Sequence, residues 1–189
     1  MTDPTLAEKA ALRQAMKGLR KAIVPAAQAV AAQALAGHAE ALAALRAPAI
    51  VSGYIPIRGE IDPGPLMAAL VASGWRLALP RIEGEDLSFR AHRPGDVLAC
   101  GGFGLTEPQA DAPRVVPAMI LLPLLAFDRR GHRLGYGRGY YDRALGRLPG
   151  ALTIGLGHHA QEVPRVPVQA HDVPLDFIAT DGALIDCRH

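Results

Sequence analysis

Only two cysteines occur, Cys100 and Cys187, and they lie far apart, so neither a CxxC pair nor a zinc-ligand spacing is available. A disulfide between them stays open, but two lone thiols in a reducing compartment are the simpler reading. An excess of charge is also missing. The formal net charge is +2, too near neutral to point to nucleic acid or an anionic membrane surface. No apolar run reaches bilayer length. The greasiest stretch, AMILLPLLAF, spans ten residues and includes a proline, against the roughly 20 residues that a crossing helix needs. The first segment, MTDPTLAEKAALRQAMKGLRKAI, carries charges throughout and lacks the apolar core of a secretory signal. A cytoplasmic protein is therefore expected. No Ser-His-Asp set, HExxH or EF-hand loop is present, which leaves metal-free nucleophilic catalysis without support. There is no internal repeat, low-complexity tail or obvious linker.

What is present suits one domain over residues 1–189, with half of the residues hydrophobic and many of these alanines in the first fifty positions. Residues 4–23 read as a helix. Thr5 and Glu8 form a T-x-x-E capping box behind Pro4, and Leu12, Met16, Leu19 and Ile23 make an apolar stripe. Residues 26–46 read as an Ala-rich helix interrupted near Gly37. Strands are expected at 49–56, 75–82, 87–93, 115–128 and 151–157, with a last one in DFIATDGALI. Helices are expected in DPGPLMAALVASG and YYDRALGRL. Strands alternating with helices predict a three-layer α/β/α fold with a mostly parallel sheet. The run at 115–128 is apolar almost throughout, as expected where both sheet faces are covered. In such folds ligands sit beyond the carboxyl ends of the strands. Three loops leave strand ends carrying polar residues: IPIRGEID, FDRRGHRLGYGRGYYD and GHHAQEVPRVPVQAHD.

The stretch RLGYGRGYYDR, residues 133–143, is the most pointed signal. Gly135, Gly137 and Gly139 each cost folding entropy, so a bland loop rarely uses all three. The spacing fits neither the Walker loop nor the dinucleotide fingerprint. Glycines nevertheless let backbone N–H groups approach an anion closely, and a helix starting near Gly139 favours negative charge at its beginning. Arg133 and Arg138 add forked donors suited to phosphate oxygens. Asp142 is a candidate ligand for a hydrated magnesium ion that bridges phosphates.

Other residues carry two readings each. Lys9, Arg13, Lys17, Arg20 and Lys21 form either a solvated basic face or a positive rim over an anionic ligand. Glu60 is either a turn residue or an acceptor for the N–H groups of a heterocycle. His171 and Asp172 read first as a structural pair. His158 and His159 are adjacent, so their side chains should diverge, and they do not read as a metal pair.

The segment PLLAFDRRGHRLGYGRGYYDRAL closely resembles the signature of the 5-formyltetrahydrofolate cyclo-ligases, also called 5,10-methenyltetrahydrofolate synthetases. KAALRQAMKGLR, YIPIRGEID, GGFGLTEP and IGLGHHAQEVPRVPVQAHDVPLDFIATD resemble further family blocks in the expected order. The resemblance implies a fold related to the sugar-phosphate isomerase and CoA-transferase group. It implies conversion of 5-formyltetrahydrofolate and ATP, with Mg2+, to 5,10-methenyltetrahydrofolate, ADP and phosphate. By matching position, Lys9, Arg13, Arg133, Gly135, Tyr136, Gly137, Arg138, Gly139, Tyr140 and Tyr141 fall to the nucleotide, although Tyr136 and Arg138 occupy variable slots. Ile55, Glu60 and Tyr140 fall to the folate, Asp142 and Asp172 to magnesium, and Arg138 and Asp142 to catalysis. Ile57, Leu105, Leu125 and Phe127 are possible folate walls or ordinary core. The expected partners are small molecules, with no nucleic acid, no membrane and a monomeric state. The rivals are a folate- or nucleotide-binding paralogue without turnover, and an enzyme of the same fold acting on a phosphosugar or another formylated amine.

Overall fold

The structure is a computed structural model that describes residues 4–188, with only the backbone of Phe103. Helix α1 (Pro4–Ala22) is followed by α2 (Pro25–Ala36), α3 (Ala39–Ala44), strand β1 (Ile50–Ser52), α4 (Gly64–Ala72), β2 (Arg76–Glu83) and β3 (Asp86–Ala91). Then come β4 (Leu98–Cys100), β5 (Thr106–Pro108), β6 (Met119–Pro123), β7 (Ala126–Phe127) and β8 (Arg133–Leu134). The chain continues through α5 (Tyr140–Gly146), β9 (Leu152–Gly157), β10 (Phe177–Thr180) and β11 (Leu184–Asp186).

Seven strands form one sheet in the order β11-β10-β9-β6-β1-β2-β3. The inner neighbours pair parallel, while β3 and β11 close the two edges antiparallel. This is the mostly parallel α/β sheet expected. Chain order runs one way from β1 to β3 and the other way from β6 to β11, so the order reverses between β1 and β6. Such a reversal opens a crevice at the carboxyl ends, because the loops leaving the two strands turn to opposite sides.

Side chains of β6 alternate between two cores. Met119 and Leu121 pack with Leu35, Leu42, Leu66 and Leu70 of α2, α3 and α4. Ile120 and Leu122 pack with Leu87, Phe89, Ala144 and Leu145 on the opposite face. The continuous apolar run is thus the mark of a strand covered on both sides.

Three boundaries differ from the sequence reading. The first strand ends at Ser52, and the next residue, Gly53, lies against α4, where a Cβ would stand 2.0 Å from Met67 Sδ. The stretch expected as a single strand over 115–128 is two strands, β6 and β7, separated by Leu124 and Leu125. Leu124 folds into space left by Gly155 and Gly157, where Cβ atoms would come within 2.7 and 2.6 Å of it. β7 then pairs with β8 inside the glycine-rich segment, turning at Gly131, whose φ is 81°. The last expected strand is the antiparallel hairpin β10–β11. The break near Gly37 is observed. Thr5 already lies inside α1, which includes Pro4, and the residue preceding Pro4 lies outside the described residues. No described helix is long and apolar enough to cross a membrane.

Candidate functional site

Two loops leave the carboxyl ends at the sheet's reversal point. One follows β1 and carries Glu60; the other follows β6, passes through the β7–β8 hairpin and ends in the glycine stretch. Helix α1 packs Leu12 and Met16 against Ala126, Leu134 and Val166 beneath this end of the sheet. Lys9, Arg13 and Arg20 adjoin that apolar stripe, within about 40° of one another on a helical wheel. They turn inward: Lys9 and Arg20 are 4% and 1% exposed, and Arg13 is half-buried. Lys17 and Lys21 remain solvated. The basic face therefore divides, with its inner edge forming the rim over the crevice.

Arg13 Nε donates to the carbonyl oxygen of Gly135 at 2.9 Å, so the helix holds the glycine loop directly. Gly137 and Gly139 have φ of 90° and 67°, a left-handed backbone that disfavours a side chain. A Cβ on Gly137 would also lie 3.2 Å from the Arg13 guanidinium. Gly135 faces open space and needs no special backbone. The helix after the loop, α5, is short, with Asp142 in its first turn.

Arg133 is buried and its fork is engaged. Nη1 donates to the Val173 carbonyl at 2.5 Å and Nη2 to Asp142 Oδ1 at 2.6 Å. Burial pulls its pKa down, against the attraction of Asp142 and Asp172. Arg133 thus ties the base of the glycine loop to the loop bearing Asp172. Lys9 Nζ donates to Asp172 Oδ2 at 2.5 Å and to Gln169 Oε1 at 3.2 Å. Burial alone would raise the Asp172 pKa, but the hydrogen bonds from Lys9 and the Gln169 amide outweigh it and hold the carboxyl below its usual range. Among the described residues no three His, Cys, Asp or Glu gather into a metal cage. Asp142 and Asp172 both act on Arg133, and each is already paired, Asp142 with Arg133 and Asp172 with Lys9.

Glu60 is 7% exposed. Its Oε2 accepts from the Ile57 amide at 3.0 Å, and its Oε1 stands 3.9 Å from Arg20 Nη1. Burial pushes its pKa up, partly offset by the Ile57 amide and Arg20. Tyr141 lies near enough to feel Glu60, and burial together with that charge raises its pKa. Tyr140 turns the other way, its hydroxyl reaching the Gly84 carbonyl at 3.5 Å with Arg143 over its ring. Ile55 is half-buried at the edge of the larger core. Ile57 and Leu105 are also half-buried, whereas Leu125 and Phe127 are wholly buried and belong to the core. Arg138 is exposed on the loop. His158 is buried and His159 exposed, so the pair diverges as expected.

Sequence reading placed Arg20 on the basic face but gave it no role of its own. Its Nη2 donates to the Arg58 carbonyl at 2.9 Å and to the Tyr136 hydroxyl. The available signal was its wheel position beside Lys9 and Arg13. The partners were not legible, because they come from loops 38 and 116 residues away in sequence. Two clefts are found away from this region. One, of about 330 Å³, lies by Arg114, Arg147 and Phe89; the other lies by Arg129 and His159.

The sheet, its reversal point and the basic helix face define a class: an α/β protein whose strand-end crevice is built from cationic side chains, a glycine turn and a buried acid. Within that class the family is specific. The sequence model of the 5-formyltetrahydrofolate cyclo-ligase family matches residues 5–181, and the chain belongs to that family. It is 33% identical over 139 residues to the 5-formyltetrahydrofolate cyclo-ligase of Escherichia coli K12, covering 69% of this chain and 76% of the relative. It is 31% identical over 186 residues to that of Mycolicibacterium smegmatis, covering 91% and 93%. The solution structure of Aquifex aeolicus 5,10-methenyltetrahydrofolate synthetase superposes with a TM-score of 0.76 at 31% identity, covering 96% of this chain and 93% of that one.

Proposed function

We propose that this chain closes 5-formyltetrahydrofolate to 5,10-methenyltetrahydrofolate at the expense of ATP, releasing ADP and phosphate, in the cytoplasm. One observation carries the reading. The glycine loop and the Glu60 loop meet at the reversal point of the sheet, joined by the buried edge of a basic helix. Family membership supports it independently.

In this proposal the formyl oxygen attacks the γ-phosphorus of ATP and the bond to ADP breaks. N10 then adds to the activated carbon and so closes the ring, N10 gives up its proton to solvent, and phosphate leaves with the former formyl oxygen. Such chemistry asks a protein mainly for alignment and neutralisation of charge. The glycine-loop amides, Arg138, Lys9 and Arg13 hold the phosphates in line. Tyr140 and Tyr141 follow the loop, Tyr140 turned toward Gly84 and Tyr141 toward the Glu60 side. Glu60 accepts N–H donors from the pterin, with Ile55 against the ring. Asp142 and Asp172 would hold magnesium, which when bound neutralises phosphate oxygens.

The test is formation of the methenyl chromophore. With ATP, Mg2+ and 5-formyltetrahydrofolate, purified protein should generate it at a rate proportional to enzyme and release one phosphate per product. No chromophore across a range of pH and divalent metals overturns the reading.

A further inference from the structure

Arg20 sits in the last turn of α1, 1% exposed, and reaches both loops of the site. One nitrogen, Nη2, donates to the Arg58 carbonyl beside Glu60 and to the Tyr136 hydroxyl within the glycine loop. Nη1 faces Glu60 at 3.9 Å, and the guanidinium carbon lies 5.5 Å from the centre of the Tyr136 ring. Nε and Nη1 have no hydrogen-bond acceptor among the described residues. A buried guanidinium left with donors unmatched is costly, so its retention calls for a role beyond packing.

The acid loop is moulded onto this arginine. Arg58 is the one non-glycine residue with positive φ among those described, at 51°, and Gly59 follows at 74°. A Cβ on Gly59 would stand 3.3 Å from the Arg20 carbonyl oxygen, so the loop approaches the end of α1 as closely as glycine allows. The glycine loop is gripped by the same helix face, at Gly135 through Arg13 and at Tyr136 through Arg20.

We propose that Arg20 is a positioning residue that couples the two halves of the site: ordering of the glycine loop by nucleotide fixes Tyr136, and through Arg20 fixes the Glu60 loop for the folate. Arg20 has partners on both loops and stands beside the direct contacts of Tyr136 with Glu60 and Arg58, and by linkage folate tightens nucleotide to the same degree. This rests on the proposed folate and ATP assignment. It goes further in naming a residue that touches neither reacting group and a dependence between the two ligands.

The experiment is calorimetry of 5-formyltetrahydrofolate binding, with and without a saturating non-hydrolysable ATP analogue and Mg2+. It is run on wild type, Tyr136→Phe and Arg20→Lys. Wild type should bind the folate about 5-fold or more tightly with the nucleotide present, the lower end of ordinary coupling. Tyr136→Phe keeps the ring but removes the hydroxyl, and its ratio should fall toward one. Arg20→Lys keeps the charge but loses the fork, and should also lose most of the ratio. A wild-type ratio of one with both ligands bound overturns the coupling and leaves the functional reading standing. So does an undiminished ratio in the Tyr136→Phe protein. Absence of folate binding in wild type overturns both.

Discussion

The Lys9 ammonium donates to Asp172 Oδ2 at 2.5 Å, joining two residues 163 positions apart across the mouth of the site. The contact pins the N-terminal helix to the loop between β9 and β10. It also places a buried cation beside a carboxylate proposed to hold magnesium.

Lys9→Met should raise the KM for ATP by about 10- to 100-fold, since hydrogen bonds to charged groups are worth about 1.5–3 kcal/mol. The folate KM should move much less. Steady-state kinetics with each substrate varied in turn reads the split, and equal changes in both would remove Lys9 from the nucleotide side. The pair also carries a pH sign. The Asp172 carboxyl lies below its ordinary value in the folded state. Its stabilising contribution is present above the unfolded pKa and is lost as pH falls through the folded one. Thermal midpoints of wild type and Asp172→Asn should therefore converge in acid and separate toward neutrality.

Glu60 has the opposite sign. Burial raises its folded pKa, so the stability linked to its proton is complete below the unfolded pKa and is lost as pH rises through the folded value. Ionised Glu60 is thus held at a cost that a ligand donor can repay. Glu60→Gln should melt at or above the wild-type temperature near pH 7, with the difference closing below the carboxylate range, and should lose folate binding. A lower midpoint at neutral pH with folate affinity intact would contradict both halves.

The three glycines of the loop should not behave alike. Gly137→Ala and Gly139→Ala force a side chain into left-handed backbone, at about 1–2 kcal/mol each. Gly135 has no such constraint and opens onto empty space, so Gly135→Ala should stay within about 0.5 kcal/mol of wild type. Urea denaturation of the three variants reads the ranking, and equal losses would show that backbone conformation is not what selects glycine there.

Asp128 anchors the hairpin that leads into the loop. It is 1% exposed and accepts from the amides of Arg130, His132 and Val166, with the Arg130 and His132 side chains beside it. Burial opposes ionisation, but the Val166 amide, His132 and the Arg130 amide prevail and lower its pKa. Asp128→Ala leaves several buried donors without an acceptor and should cost about 3 kcal/mol or more. A change below ~1 kcal/mol in denaturant unfolding would show the turn to be self-supporting.

Much of this architecture was legible in the chain, for physical reasons. The strand MILLP reads as a strand covered on both faces because its alternate residues serve two cores. The glycine loop was legible because Gly137 and Gly139 sit where other residues would be strained. Two-residue strands such as β8 were not, since so short a segment has no periodicity to read. Nor was the division of the basic face. Helical spacing groups Lys9, Arg13 and Arg20, but whether a charge is solvated or buried depends on partners such as Glu60 and Tyr136, brought in by the sheet's topology. Tyr140 shows the converse: adjacent to Tyr141 in sequence, it turns toward the β2–β3 turn, away from the acid.

The most direct measurement is a crystal structure with a non-hydrolysable ATP analogue, Mg2+ and 5-formyltetrahydrofolate. The triphosphate should lie along Gly135–Gly139 under Lys9 and Arg13, with the formyl oxygen in line with the γ-phosphorus and the pterin N–H edge on Glu60. A nucleotide lodged instead in the cleft by Arg114 and Arg147, with the glycine loop bare, would contradict the assignment of the site.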